Sequence, residues 1–248
     1  MKAVFTAASS LKCSACALRQ FCLPVEFDVD ALQHLDALVS RRILLRKGDS
    51  LYRQGEALHS LYNLRVGMLK TEFCLPDGRT QITGFHLSGE MIGFDGLGAQ
   101  HYASTATALE ESEVCEIRFE NLAALTQKIP FLQKHIYQVL SREIDRDHQH
   151  FLTLGSMRAE ERLAAFLLNL SQRLALRGCA ADEIYLSIRR EDIGNYLGIK
   201  LETVSRLFSR FSSAGLIQIK QRYVKLIDID GLQQLAGCGP ACVQKPSH

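Results

Sequence analysis

The sequence predicts an α+β chain in three parts: an N-terminal β-roll, one long helix, and a C-terminal winged helix-turn-helix. Three observations predict it. Between residues 41 and 119, short runs of Val, Ile, Leu, Phe and Tyr are broken by turn glycines such as Gly48, Gly55, Gly67, Gly78 and Gly89. From residue 99 to residue 154 there is no glycine and Pro130 is the single proline, and beyond it apolar residues recur at helical steps. Beyond residue 187, two short helical patterns meet at Gly198-Ile199, and a hairpin pattern follows.

The elements follow in order. Residues 1–27 form a cysteine-bearing segment with little periodicity, holding Cys13, Cys16 and Cys22. Residues 28–38, with Leu32, Leu35 and Leu38, read as one short amphipathic helix. The roll domain is expected over 28–127, because short strands separated by glycine turns close into small barrels or rolls. Pro76-Asp77-Gly78 is a hairpin turn by residue type.

The long helix is expected over 128–155, with Pro130 in its first turn. Ile136, Leu140, Ile144 and Phe151 fall on one narrow stripe. Such a stripe has a partner: either a second copy of the chain or the roll of the same chain. Asp147 stands on that stripe where an apolar residue is called for. In a symmetric parallel dimer it would face its own copy, and two carboxylates in a partly dry seam repel and resist desolvation. The helix is therefore expected to dimerise conditionally.

The DNA-binding unit is expected over 156–230. It comprises a helix over 158–176 stopped by Gly178, a strand at 184–188, and helices at about 190–197 and 201–214. A hairpin of 216–220 and 223–229 turns around Gln221-Arg222. Residues 231–248, with Cys238 and Cys242, read as a loose tail.

Composition narrows the function. The chain has 248 residues, 47% hydrophobic and 23% charged, which suits a soluble protein of one or two domains. Net charge is only +2, from 29 basic and 27 acidic residues, so the overall balance says little about nucleic acid. Local charge says more: Arg189, Arg190, Lys200, Arg206, Arg210, Lys220 and Arg222 outnumber Glu191, Asp192 and Glu202. Neither a leader peptide nor a membrane-spanning run is evident, so a cytoplasmic location is expected. There, eight cysteines are read as ligands, redox groups or buried thiols rather than disulfides. The histidines are scattered, and no Ser-His-Asp, Walker or Rossmann pattern is present, so no enzyme is expected.

Two constellations remain. In the second helix of the winged unit, Glu202, Ser205 and Arg206 lie outside the core-forming Val204, Leu207 and Phe208. Glu202 can accept from a cytosine amino group and Arg206 can donate two bonds to guanine. A plain surface pair of Glu202 with Arg206 is the bland alternative. Arg189, Arg190, Lys220 and Arg222 are candidates for phosphate contacts. The other constellation is Cys13, Cys16 and Cys22 with the distant Cys115. Its thiolates could hold an iron-sulfur cluster or zinc, or could be unrelated, with Cys115 a buried strand residue. Cys74 and Cys179 read as structural or exposed thiols.

The stretches Gln81-Ile82-Thr83-Gly84-Phe85-His86-Leu87, Ala159-Glu160-Glu161-Arg162-Leu163-Ala164-Ala165-Phe166 and Asp192-Ile193-Gly194-Asn195-Tyr196-Leu197-Gly198 carry a resemblance. The chain is similar to the fumarate and nitrate reduction regulators, the oxygen-sensing branch of the cyclic-AMP receptor protein superfamily. The resemblance runs from about residue 11 to residue 237. It implies a cyclic-nucleotide-binding-like roll and a [4Fe-4S] cluster on Cys13, Cys16, Cys22 and Cys115. It also implies a homodimer, a palindromic DNA site with TTGAT-like half-sites read through Glu202, Ser205 and Arg206, and RNA polymerase as a partner.

The chain departs from the family twice. Arg189 stands where a helix-capping threonine is usual, and arginine cannot cap with a hydroxyl. Arg79 follows Gly78 in the activating surface loop, where an aspartate is typical. A regulator that answers to a cyclic nucleotide or another small ligand is the alternative function. Against it, the roll keeps Gly89-Glu90 but offers no arginine in Gln100-His101-Tyr102-Ala103-Ser104 for a cyclic phosphate.

Overall fold

The computed structural model describes Cys16 and residues 38–237. It divides into two compact units, Met1–Arg146 and Asp147–His248. Residues 28–37 of the expected helix and the thiols Cys13, Cys22, Cys238 and Cys242 lie outside the described residues.

The first unit is built on strands β1 (Val39–Leu45), β2 (Ser50–Tyr52), β3 (Ser60–Val66), β4 (Met68–Cys74), β5 (Thr80–Leu87), β6 (Met91–Ile92), β7 (Thr105–Ala108) and β8 (Ser112–Arg118). They form two four-stranded antiparallel sheets, ordered β1-β8-β3-β6 and β2-β7-β4-β5. Side chains alternate across each strand, so one set turns inward. Tyr52, Leu61, Leu64, Leu69, Ile82 and Val114 are almost wholly buried, each contributing about 1.5–3 kcal/mol of hydrophobic stabilisation. The expected turn joins β4 to β5: the Leu75 N–H donates to the Arg79 carbonyl at 2.8 Å, and Asp77 accepts from the Arg79 N–H at 3.0 Å.

Helix α1 (Phe119–Lys128) closes the roll where the sequence reading placed only strand and boundary. Its inward residues Leu122 and Leu125 are three apart, too short a run to stand out against the strand pattern before it. Helix α2 (Pro130–Ser156) follows after Ile129, close to the expected 128–155. Its 27 residues span about 40 Å.

The second unit holds α3 (Ala159–Ala175), β9 (Glu183–Tyr185), α4 (Arg190–Leu197), α5 (Leu201–Ser213), β10 (Ile217–Lys220), β11 (Tyr223–Leu226) and α6 (Ile229–Leu235). The strands pair antiparallel in the order β10-β11-β9. Leu163, Leu167, Ile193, Val204, Phe208, Phe211 and Val224 make its core. Helix α6 corrects the reading of 229 onward as strand end and tail. Asp228 caps it by accepting from the Gly231 N–H at 2.8 Å, a local signal that the sequence already carried.

Two glycines fix the turn between α4 and α5. Gly198 ends α4 in the left-handed conformation at φ 64°. At Gly194, a Cβ would sit 2.6 Å from the Ile199 carbonyl oxygen, so only glycine lets the helices approach this closely.

Candidate nucleic-acid interface and thiol site

Helix α5 buries Val204, Leu207, Phe208 and Phe211 and leaves Glu202, Ser205, Arg206 and Ser209 exposed. The exposed set forms the free face that the spacing predicts. Arg206 donates through Nε to the Glu202 carbonyl oxygen at 3.4 Å, so the bland side-chain pair is not what holds it. Arg210, one turn on, forms an ion pair with Glu160 of α3 and ties the helix to its own unit.

The cations expected at phosphates divide. Arg189, Lys220 and Arg222 are exposed. Lys220 and Arg222 stand at the tip of the β10-β11 hairpin, where Gln221 takes a left-handed φ of 57°. Arg190 is placed differently from the expectation: its guanidinium lies 3.1 Å from the centre of the Phe208 ring. Burial lowers its pKa to about 10, and its Nη1 is buried without a hydrogen bond. That position packs α4 on α5 rather than presenting charge to a ligand. Arg189 occupies the N-cap of α4 and makes no side-chain cap, as its chemistry dictates. Glu191 and Asp192 in the first turn complement the helix dipole instead.

Arg162 is a residue that the sequence reading did not single out. Its guanidinium donates to the carbonyls of Leu154 at 2.8 Å, Met157 at 2.9 Å and Leu197 at 2.9 Å. It therefore satisfies acceptors at the C-terminal ends of α2 and α4 and in the link before α3.

On α2 the expected seam splits. Ile136, together with Val139, packs against the core of the roll, and Leu140 is half-buried. Ile144 is 53% exposed, Phe151 is 77% exposed, and Asp147 between them is also exposed. The intramolecular reading therefore holds for the N-terminal half of the stripe, and the C-terminal half is left exposed.

In the roll, β8 carries Cys115, half-buried, opposite Arg42 of β1 and Asn63 of β3. Cys16 is close enough to act electrostatically on Arg65 and on Cys115. Burial pushes the Cys115 thiol up, opposed by the positive charge of Arg42. Both thiols are free of disulfides. Among the described residues no group of three or more His, Cys, Asp or Glu side chains converges as a metal site. Of the four expected ligands, Cys16 and Cys115 are described, and Arg42 and Arg65 lie near enough to act on their charge. Cys74 and Cys179 are exposed thiols.

Where a nucleotide-binding roll would need a phosphate-binding arginine, this roll has packed aromatics. Tyr102 stacks on Tyr52 with ring centres 3.9 Å apart, and its hydroxyl donates to the Ser60 carbonyl at 2.6 Å. Ser104 donates to Asp95 through its N–H at 2.9 Å and its hydroxyl at 2.6 Å. Glu90 accepts from the Leu87 N–H at 3.1 Å and pairs with Arg146 of α2 at 3.4 Å.

A sensor roll, a long helix with an exposed apolar stripe and a winged helix-turn-helix are together the parts of a DNA-binding regulator. The comparisons agree. A cyclic nucleotide-binding domain matches residues 42–128, and a Crp-like helix-turn-helix domain matches residues 161–235. The transcriptional regulatory protein btr of Bordetella pertussis is 49% identical over 225 residues, covering 91% of this chain and 93% of its own. The fumarate and nitrate reduction regulatory protein of Escherichia coli K12 is 43% identical over 228 residues, covering 92% and 91%. Among solved structures, FixK2 from Bradyrhizobium japonicum aligns with a TM-score of 0.72 at 29% identity, over 78% of this chain and 96% of its own. The chain belongs to the CRP/FNR superfamily of transcription regulators, in the branch of the fumarate and nitrate reduction regulators. It is a DNA-binding regulator and not an enzyme. Among the described residues no helix is long and apolar enough to cross a membrane.

Proposed function

We propose that the chain is an oxygen-responsive regulator that binds a palindromic TTGAT-type site as a homodimer when Cys13, Cys16, Cys22 and Cys115 hold a [4Fe-4S] cluster. The observation that carries this reading is the 43% identity, over 92% of the chain, with the fumarate and nitrate reduction regulatory protein of Escherichia coli K12, together with the place of Cys115 on β8 opposite Arg42. When bound, the cluster supplies an oxygen-labile link between the N-terminal segment and β8.

The chain's own residues do the rest. Glu202, Ser205 and Arg206 read base edges from the exposed face of α5, and Arg189, Lys220 and Arg222 hold phosphates. Arg190 supports α5 from behind through Phe208. Two-fold operators need two reading heads, so DNA binding follows dimerisation. Leu140, Ile144 and Phe151 supply the apolar contact, and Asp147 opposes it. RNA polymerase is the further partner proposed. At the loop expected to meet it, Arg79 pairs with Asp77 at 2.8 Å and neutralises the tip.

The test is anoxic purification with iron, sulfide and visible absorbance measured. About four iron per chain is expected, lost in Cys13→Ser, Cys16→Ser, Cys22→Ser and Cys115→Ser and kept in Cys74→Ser and Cys179→Ser. Stoichiometric zinc without labile iron rejects the reading. For a cyclic-nucleotide-responsive regulator the stacked Tyr52 and Tyr102 are an obstacle, and nucleotide titration of the cluster-free protein is expected to show no effect on DNA binding.

A further inference from the structure

The wing carries an aromatic rung on its outer face. In the sheet β10-β11-β9, Lys220, Tyr223 and Tyr185 stand opposite one another in register. Alternation turns Ile217, Val224, Leu226 and Ile184 inward, where they are buried, and leaves this rung outward. Tyr185 is 45% and Tyr223 56% exposed, and their rings pack on each other with centres 5.1 Å apart. The rung is the last before the turn at Gln221-Arg222. That turn borders the approach to α4: the Leu186 N–H donates to the Arg222 carbonyl at 2.8 Å, and Arg189, the N-cap of α4, follows soon after. The two rings therefore share one end of the sheet with Lys220, Arg222 and the chain leading to Arg189. Glu183 and Asp182 lie farther from the turn and pair with Lys225 at 3.2 and 3.4 Å.

We propose that Tyr185 and Tyr223, stacked at the turn end of the wing, are DNA-binding residues that lie against the sugar-phosphate backbone beside the phosphates assigned to Lys220 and Arg222. The inference rests on those phosphate roles. Tyrosine suits the place because its body is apolar and its tip polar: the ring covers a deoxyribose while the hydroxyl donates to a phosphate oxygen. Cations at the turn, with the carboxylates set back from it, favour a polyanion over a protein surface. Backbone contacts position without specifying, so the rung adds affinity on any sequence. The hydroxyls are neutral, so unlike Lys220 and Arg222 they release no counterion from the DNA.

The experiment uses the full chain, prepared anoxically. Binding is measured to a duplex bearing the palindromic site and to a scrambled duplex, each over a series of salt concentrations. Tyr185→Phe and Tyr223→Phe keep the ring pair and remove one hydroxyl each. Either is expected to weaken binding about threefold on both duplexes, and the double variant about tenfold. The salt slope should stay as in wild type, whereas Lys220→Ala lowers it by about one. Urea denaturation of the double Phe variant is expected to match wild type. If that variant binds both duplexes as tightly as wild type, the rings are a cross-strand pair that supports the sheet, and the proposal is overturned. Loss of transcription with polymerase at unchanged DNA affinity would assign the face to a protein partner and overturn it equally. Undiminished binding with an unchanged salt slope in both Lys220→Ala and Arg222→Ala is a separate result, which overturns the phosphate roles themselves.

Discussion

Replacing Arg162 with alanine is expected to cost far more than a half-buried charged residue usually does. Its guanidinium makes three hydrogen bonds of 2.8–2.9 Å, to the carbonyls of Leu154, Met157 and Leu197. Two of these acceptors belong to the last turns of helices, where carbonyls have no partner within the helix. A cation there also complements the negative end of each helix dipole. A hydrogen bond involving a charge contributes about 1.5–3 kcal/mol, so the gross loss is several kcal/mol. Water reaches part of this site and returns some of that, leaving a net cost of about 2–4 kcal/mol. Arg162→Lys keeps the charge but can serve only one or two of the carbonyls, so it is expected to recover less than half. Urea denaturation followed by circular dichroism gives the stability, and operator binding of the remaining folded protein reports the orientation of the reading unit. A loss below about 0.5 kcal/mol for Arg162→Ala would show that water replaces the guanidinium at all three carbonyls and that the reasoning is wrong.

Four further outcomes are expected. Arg206→Ala lowers affinity for the specific site by about 1–3 kcal/mol more than for random DNA, whereas Arg222→Ala weakens both equally; competition binding distinguishes them. Arg189→Thr supplies the missing cap of α4, raising stability by about 1 kcal/mol while reducing the salt dependence of DNA binding by about one ion. Asp147→Ala dimerises and binds operator in air without a full cluster, as sedimentation of the aerobically prepared variant would reveal; a monomer there rules out Asp147 as the brake. His150 stacks on Tyr196 at 3.9 Å, and burial lowers its pKa from 6.5 to about 4. The folded state resists its protonation, so its stability contribution is intact above 6.5 and drains away as pH falls toward 4. With solvent screening the loss is about 1–2 kcal/mol, and His150→Phe should flatten that part of the stability profile.

The winged unit was legible in the sequence because each boundary has a local mark: Gly178, Gly198 and the hairpin turn at Gln221 and Arg222. The role proposed for Cys115 rests on the resemblance, since a single cysteine between Val114 and Glu116 reads equally well as core. What the sequence hid was partnership at a distance. Arg162 looks like one more charged helix residue until the fold brings Leu154 and Leu197 to it. Arg42 is separated from Glu113 by most of the roll, and only the pairing register of β1 with β8 joins them. Arg190 misled for the converse reason. Its charge and position suited a phosphate, yet its aliphatic stem and planar head also suit the Phe208 ring, and packing decided between them. Helix α6 was marked by Asp228, but the preceding strand pattern ran on smoothly enough to mask the cap.

The division of the α2 stripe bears directly on how the protein can switch. A seam using Ile136, Leu140, Ile144 and Phe151 together would bury enough apolar surface to dimerise permanently. Ile136 is already spent on the roll core, so the residues left fully available are Ile144 and Phe151, with Leu140 half engaged. Burying each of those two contributes about 1.5–3 kcal/mol per chain at most. Bringing two Asp147 carboxylates together between them costs an amount of the same order. In the proposed switch the equilibrium would then lie near balance, where a bias of a few kcal/mol from the sensor end moves most of the population. A longer apolar seam would make the dimer deaf to that bias, and a second carboxylate on it would make the monomer equally so. In the proposed switch, the placement of Ile136 inside the roll therefore counts as much as the charge of Asp147.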